Sequence, residues 1–159
     1  MLADRLWRYD NGAYARIALE GDVHTVNMHA AGLDNRDDSK TFFYAFCYGA
    51  GPGKLGSIKA PKASEAEQRR LGLGLKASFL AKIPAFKSLL DDIADQVDRR
   101  QYLVGLDGRR LPLRSAHAGL NTQLQSDGAV LMKKALVILN EELNKRFPSR
   151  FAFLANVHD

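Results

Sequence analysis

The chain has 159 residues, 46% of them hydrophobic and 26% charged, enough for one compact domain with its own core. A formal net charge of +5 and a pI near 9.4 are compatible with a polyanionic partner, because a pI above roughly 9 accompanies many nucleic-acid-binding domains. The lone cysteine, Cys47, excludes an internal disulfide and a cysteine-built zinc cage, and no apolar run reaches the roughly 18 residues that cross a bilayer.

The opening MLADRLWRYDNG has no signal-peptide core, so a cytoplasmic setting is expected. Residues 1–20 predict a helix that turns at Asp10-Asn11-Gly12 and resumes from Tyr14 to Leu19. Residues 34–48, DNRDDSKTFFYAFCY, predict a second helix. Asp34 or Asn35 can cap it, Asp37 and Asp38 suit its positive end, and Gly49 stops it. Gly49-Ala50-Gly51-Pro52-Gly53-Lys54 imitates a phosphate loop, but Leu55 stands where a hydroxyl is required and a helix precedes it. It reads as a flexible turn.

A longer helix should open at Ser64-Glu65-Ala66-Glu67, a capping box, with Gly72 and Gly74 each weakening it by about 1 kcal/mol relative to alanine. Pro84 starts another, to about Arg100. Residues 102–106 and 109–113 then read as two strands around a type I′ turn at Asp107-Gly108. A helix over about 118–146 follows, with an apolar stripe through Leu120, Leu124, Leu131, Ala135 and Ile138, closed by Pro148. Residues 151–157 resemble a buried strand. The fold class is therefore α+β and mainly helical, with a boundary near residue 101.

Arg36, Lys40, Tyr44 and Tyr48 recur at intervals of four. Each step advances about 400°, so the four make one slowly winding stripe. Two cations followed by two rings can hold a nucleoside triphosphate: the cations meet phosphates, and the rings present flat faces to sugar and base. Phe42, Phe43, Phe46 and Cys47 point elsewhere and should anchor the helix. The ordinary alternative is a surface helix whose cations pair with acids. A second stripe, Arg114, His117, Asn121 and Gln125, opens the last helix. Amide side chains suit the acceptors that every base pair shows in its minor groove, although polar residues at a helix start also simply face water.

Arg36-x-x-x-Lys40-x-x-x-Tyr44-x-x-x-Tyr48-Gly49 resembles motif B of family A DNA polymerases, and the stretch from Gly21-Asp22-Val23-His24-Thr25 to Gly51 is similar to the short-tailed-phage type. The resemblance implies that His24, Arg36 and Lys40 meet the triphosphate of an incoming dNTP. Tyr44 would lie beside its sugar, and Tyr48 beside the nascent base pair. It likewise implies that Arg114, His117, Asn121 and Gln125 contact the primer–template. Leu106-Asp107-Gly108-Arg109 is similar to the family's hairpin, so the likeness covers nearly the whole chain. Val157-His158-Asp159 resembles the start of motif C, which implies that Asp159 is a ligand of catalytic Mg2+ and His158 lies near the primer end.

Met1-Leu2-Ala3 falls directly after the family's motif A, Asp-x-Ser-x-x-Glu-Leu-Arg, whose Asp is the other metal ligand. The implied organisation is fingers over 1–100, with the palm–fingers junction at 1–30, and a partial palm over 101–159. Lys40, His158 and Asp159 are the expected catalytic residues. The expected partners are dNTP, DNA primer–template and a polypeptide supplying motif A and the remaining palm and thumb, with no membrane. Without that polypeptide, two metals cannot be fixed against a primer 3′-hydroxyl, so the chain alone is expected to be inactive. A non-catalytic DNA- or nucleotide-binding remnant is the other reading. His24 and His29 miss zinc spacing, and Ser115 with His117 lacks a nucleophile elbow.

Overall fold

The computed structural model describes residues 1–113 and 115–153. Among them the order is α1 (Leu2–Asp10), α2 (Ala13–Glu20), α3 (Val23–Ala31), α4 (Arg36–Cys47), α5 (Pro52–Lys59), α6 (Glu65–Lys82), α7 (Pro84–Arg100), β1 (Tyr102–Val104), β2 (Arg110–Pro112), a 3-10 turn (Ala116–Ala118) and α8 (Gly119–Arg146). The α+β, mainly helical class holds. None of these helices is long and apolar enough to cross a membrane.

The break at 10–12 comes from two consecutive left-handed residues, Asn11 at φ 51° and Gly12 at φ 77°, while the Asp10 carboxylate accepts from the Gly12 and Tyr14 N–H groups. Asn35 caps α4 by accepting from the Asp37 N–H. Ser64 caps α6 by accepting from Glu67, but the Glu67 carboxylate turns to Arg70, so only half of the expected capping box forms. Two helices exceed the expectation. Asp22 caps α3, and Pro52 opens α5 at its first position, so the presumed flexible turn ends at Gly51.

The core is aromatic. Phe79 of α6 lies 5.1 Å from Phe46 of α4 and 5.0 Å from Phe86 of α7, centroid to centroid, and Phe42 and Phe43 complete the cluster. Such pairs add about 0.5–1.5 kcal/mol each beyond the area they bury. The α4 anchor residues therefore behave as expected, with Phe42, Phe46 and Cys47 buried. Tyr14 packs edge-on against Phe86 and exchanges hydrogen bonds with buried Asn27, which fixes α2 to α3; burial pushes its phenol pKa up.

Burial also pushes the Cys47 thiol up to about 12. The thiolate is the reactive form, so Cys47 is expected to resist thiol reagents at pH 7–8 in the folded chain and to react in denaturant. Thiol labelling against urea concentration checks this; rapid labelling of the native chain would contradict the burial.

The hairpin pairs Tyr102 with Pro112, Leu103 with Leu111 and Val104 with Arg110, so its strands are shorter than expected. Its turn is not type I′. That type needs positive φ at both central residues, whereas only Gly108 is left-handed here. The chain closes instead by Gly108 N–H to Gly105 O at 3.0 Å and Gly105 N–H to Arg109 O at 2.9 Å. Glycine alone takes the left-handed position, and Asp107 is left to pair with Arg109.

Residues 151–153 form no strand, and the rest of that expected strand lies outside the described residues. In α8 only the first turns are buried, at Gly119, Leu120, Gln123 and Asp127.

Candidate nucleotide and DNA interface

The α4 stripe faces outward. Arg36, Lys40, Tyr44 and Tyr48 are all exposed, whereas the residues between them supply the aromatic core. Periodicity explains the division: a helix that buries Phe42 and Phe46 must turn the positions two residues away from them towards solvent.

Tyr44 and Tyr48 meet residues almost eighty positions later. A cleft of about 710 Å³ is lined by these two rings from α4 and by Asn121 and Gln125 from α8. Met1, Leu2, Phe43, Leu124 and Met132 give it an apolar lining. Gly49 makes the approach possible. It is left-handed at φ 76°, and a Cβ there would lie 2.8 Å from the His117 carbonyl oxygen, so the end of α4 rests directly on the 3-10 turn before α8. That turn is capped by Ser115, whose hydroxyl accepts from the His117 N–H, and His117 itself is exposed beside the cleft wall.

The α8 part of the lining is held by an ion pair absent from the sequence reading. Arg5 of α1 donates two hydrogen bonds, of 2.8 and 2.7 Å, to Asp127, a fully buried carboxylate on α8. Gln123 donates to Val104 O and ties α8 to the hairpin. Beyond Asp127 the helix projects from the body with Leu131, Met132, Ile138 and Leu139 exposed; with Ala135 they span an arc of roughly 120° on one face. The predicted apolar stripe exists, but past Leu124 nothing among the described residues covers it.

His24, Arg36 and Lys40 do not line the cleft; they precede it along α3 and α4. Arg36 is engaged. Its Nε and Nη2 donate to the two oxygens of Asp22 at 2.9 and 3.1 Å, a side-on fork. The same carboxylate accepts from the His24 and Thr25 N–H groups and from the Thr25 hydroxyl. The Arg36 and Thr25 donors hold the Asp22 carboxyl well below the usual carboxylate range. Its ion pair is therefore fully present above the unfolded carboxylate range, near pH 4, and fades only as the pH falls through the depressed folded value. Ser39 of α4 donates to the His24 carbonyl at 2.9 Å, and His24 Nδ1 is buried without a partner among the described residues. Lys40 makes no ion pair among them.

Arg114, His158 and Asp159 lie outside the described residues. The described residues contain no group of three or more His, Cys, Asp or Glu side chains that could hold a metal ion, so by themselves they do not fit one.

Over nearly its whole length the chain is similar to phage DNA polymerases. It is 40% identical to the DNA-directed DNA polymerase of Escherichia phage T7 over 177 aligned positions, which cover 99% of this chain and 24% of that polymerase. It is 39% identical to the DNA-directed DNA polymerase of Enterobacteria phage T3, with the same coverage. Against the DNA-directed DNA polymerase of Escherichia phage Phieco32 it is 42% identical over 153 positions, covering 92% of this chain and 24% of the relative. The chain thus spans about a quarter of the length of the curated relatives it matches. No protein-family model matches it.

Proposed function

We propose that this chain is the fingers and part of the palm of a family A, phage-type DNA polymerase, binding an incoming dNTP along α4 and the primer–template against α8. The observation that carries the reading is the shared cleft: Tyr44, Tyr48, Asn121 and Gln125 line one opening, with Lys40 one turn before Tyr44 on α4. Rings beside a nascent base pair and amides beside the minor groove of the pair already made require this kind of adjacency. Residues 1–100 serve as fingers and 101–159 as partial palm. His24, Arg36 and Lys40 receive the triphosphate, and Arg114, His117, Asn121, Gln125 and His158 contact DNA.

The reaction is nucleotidyl transfer to a primer 3′-hydroxyl, with a divalent metal, Mg2+, for which Asp159 is the ligand this chain contributes. The remaining carboxylate belongs to polypeptide outside this quarter. One observation supports dependence on that polypeptide: the uncovered apolar face of α8. A projecting helix with an exposed apolar arc is weak in water without a partner surface. The setting is the cytoplasm of an infected cell.

Titration with dATP tests the assignment. The unmodified chain is expected to bind it, and Lys40→Ala to weaken binding by about tenfold, the loss of one charge-assisted phosphate contact. Unchanged binding by Lys40→Ala removes α4 as the triphosphate site. Primer extension by the purified chain is expected to give no product, and robust synthesis would overturn the dependence. Binding without extension after the rest of a phage-type polymerase polypeptide is restored would favour a non-catalytic remnant.

A further inference from the structure

We propose that Asp22 is a positioning residue for the triphosphate, acting through Arg36. The proposal rests on the nucleotide-binding reading of α4. A guanidinium has two edges that can form paired hydrogen bonds. One joins Nε and Nη2, and the other joins Nη1 and Nη2. Asp22 occupies the first edge with both of its oxygens. The second edge is left pointing away from the carboxylate, in a plane that the fork has already fixed. Three of the five N–H groups remain for an incoming anion, two of them in a geometry that matches a phosphate.

The carboxylate that orients Arg36 is itself immobilised. It caps α3 by accepting from His24 and Thr25, and the Thr25 hydroxyl donates to its second oxygen. Ser39, three residues after Arg36, donates to the His24 carbonyl and joins the starts of α3 and α4 a second time. One acidic side chain therefore sets the relation between His24 and Arg36, the two residues assigned to the phosphates ahead of Lys40. An isolated arginine with half of its side chain in solvent would sample many rotamers; this one begins from a single orientation.

The sign of the effect separates positioning from simple electrostatics. A carboxylate beside a polyanion repels it, so on Coulomb grounds alone removing the charge should tighten triphosphate binding. Positioning demands the reverse. Asp22→Asn is the informative variant: asparagine caps a helix as well as aspartate does, so α3 is retained, but a neutral amide cannot receive the fork with two anionic oxygens.

The experiment is calorimetric titration of the chain with dATP for the parent, Asp22→Asn, Arg36→Ala and the double variant, with circular dichroism to confirm unchanged helix content. Asp22→Asn is expected to weaken dATP binding by about fivefold to tenfold, and to cause no further loss once Arg36 is alanine. Unchanged or tighter binding by Asp22→Asn overturns the proposal, as does an equal loss in the Arg36→Ala background, which would mark a structural role independent of the guanidinium. If the parent does not bind dATP, the nucleotide-binding reading itself falls; parent binding that survives Asp22→Asn leaves that reading standing and removes only this proposal.

Discussion

Gly72→Ala is expected to lower the melting temperature by roughly 6–12 °C, while Gly74→Ala, two residues along the same helix, should raise it by roughly 2–4 °C. On an isolated helix the two substitutions would be equivalent, each gaining about 1 kcal/mol from alanine's better helix propensity. Their surroundings make them opposites. A Cβ on Gly72 would lie 1.8 Å from the Pro52 carbonyl oxygen and 2.8 Å from the Gly56 nitrogen, and a Cβ on Gly56 would lie 1.7 Å from the Gln68 carbonyl oxygen. The backbones of α5 and α6 thus touch at a crossing of two glycines. No rotamer change relieves a clash with another helix's backbone, so the helices must separate, and the cost reaches the upper end of overpacking, about 3 kcal/mol or more. Nothing lies within 4 Å of the corresponding position at Gly74, which faces solvent. Thermal melts of the two variants check the contrast. Equal shifts of the same sign would mean that α5 and α6 do not cross there.

The contrast also marks where the amino-acid sequence is a good guide. Local rules placed α1, α2, α4, α6, α7 and α8 because caps, glycine stops and 3.6-residue periodicity are written within each segment. They do not announce α3 and α5: Asp22 and Pro52 are both start signals, but each follows a glycine and opens a helix of only nine or eight residues, too short for a clear period. The role of Gly72 was illegible because its meaning lies in a helix that passes it in space. At the candidate site, the spacing of Arg36, Lys40, Tyr44 and Tyr48 forecast a single outward face, and they share one. Spacing could not forecast that Asn121 and Gln125 would line one cleft with the tyrosines, nor that Arg36 would be held by Asp22. Such pairs depend on tertiary approach, which no spacing within one segment encodes.

Asp127→Ala is expected to be the most damaging single change on the α8 side, costing about 3–5 kcal/mol and loosening the join between α1 and α8. The carboxylate is fully buried, and Arg5, with about a fifth of its side chain exposed, spends its fork on it. Truncating Asp127 leaves a largely buried guanidinium with no anion, which is worse than never having had the pair, because the desolvation cost remains after the attraction is gone. The position matters beyond stability. Met1 and Leu2 line the cleft, and a Cβ at Gly128 would lie only 3.4 Å from the Met1 sulfur, so the Arg5–Asp127 pair joins α1 to α8 close to the cleft, beside the buried Leu6 and the Arg8–Asp92 pair that also hold α1. Replacing both partners with apolar residues, Arg5→Met with Asp127→Leu, should recover most of the loss, since a well-packed apolar pair is often as stable as the ion pair it replaces. Urea denaturation of the single and double variants decides it. A double variant as unstable as Asp127→Ala would show that this contact is held by the shape of the two ionic side chains rather than by their opposite charges.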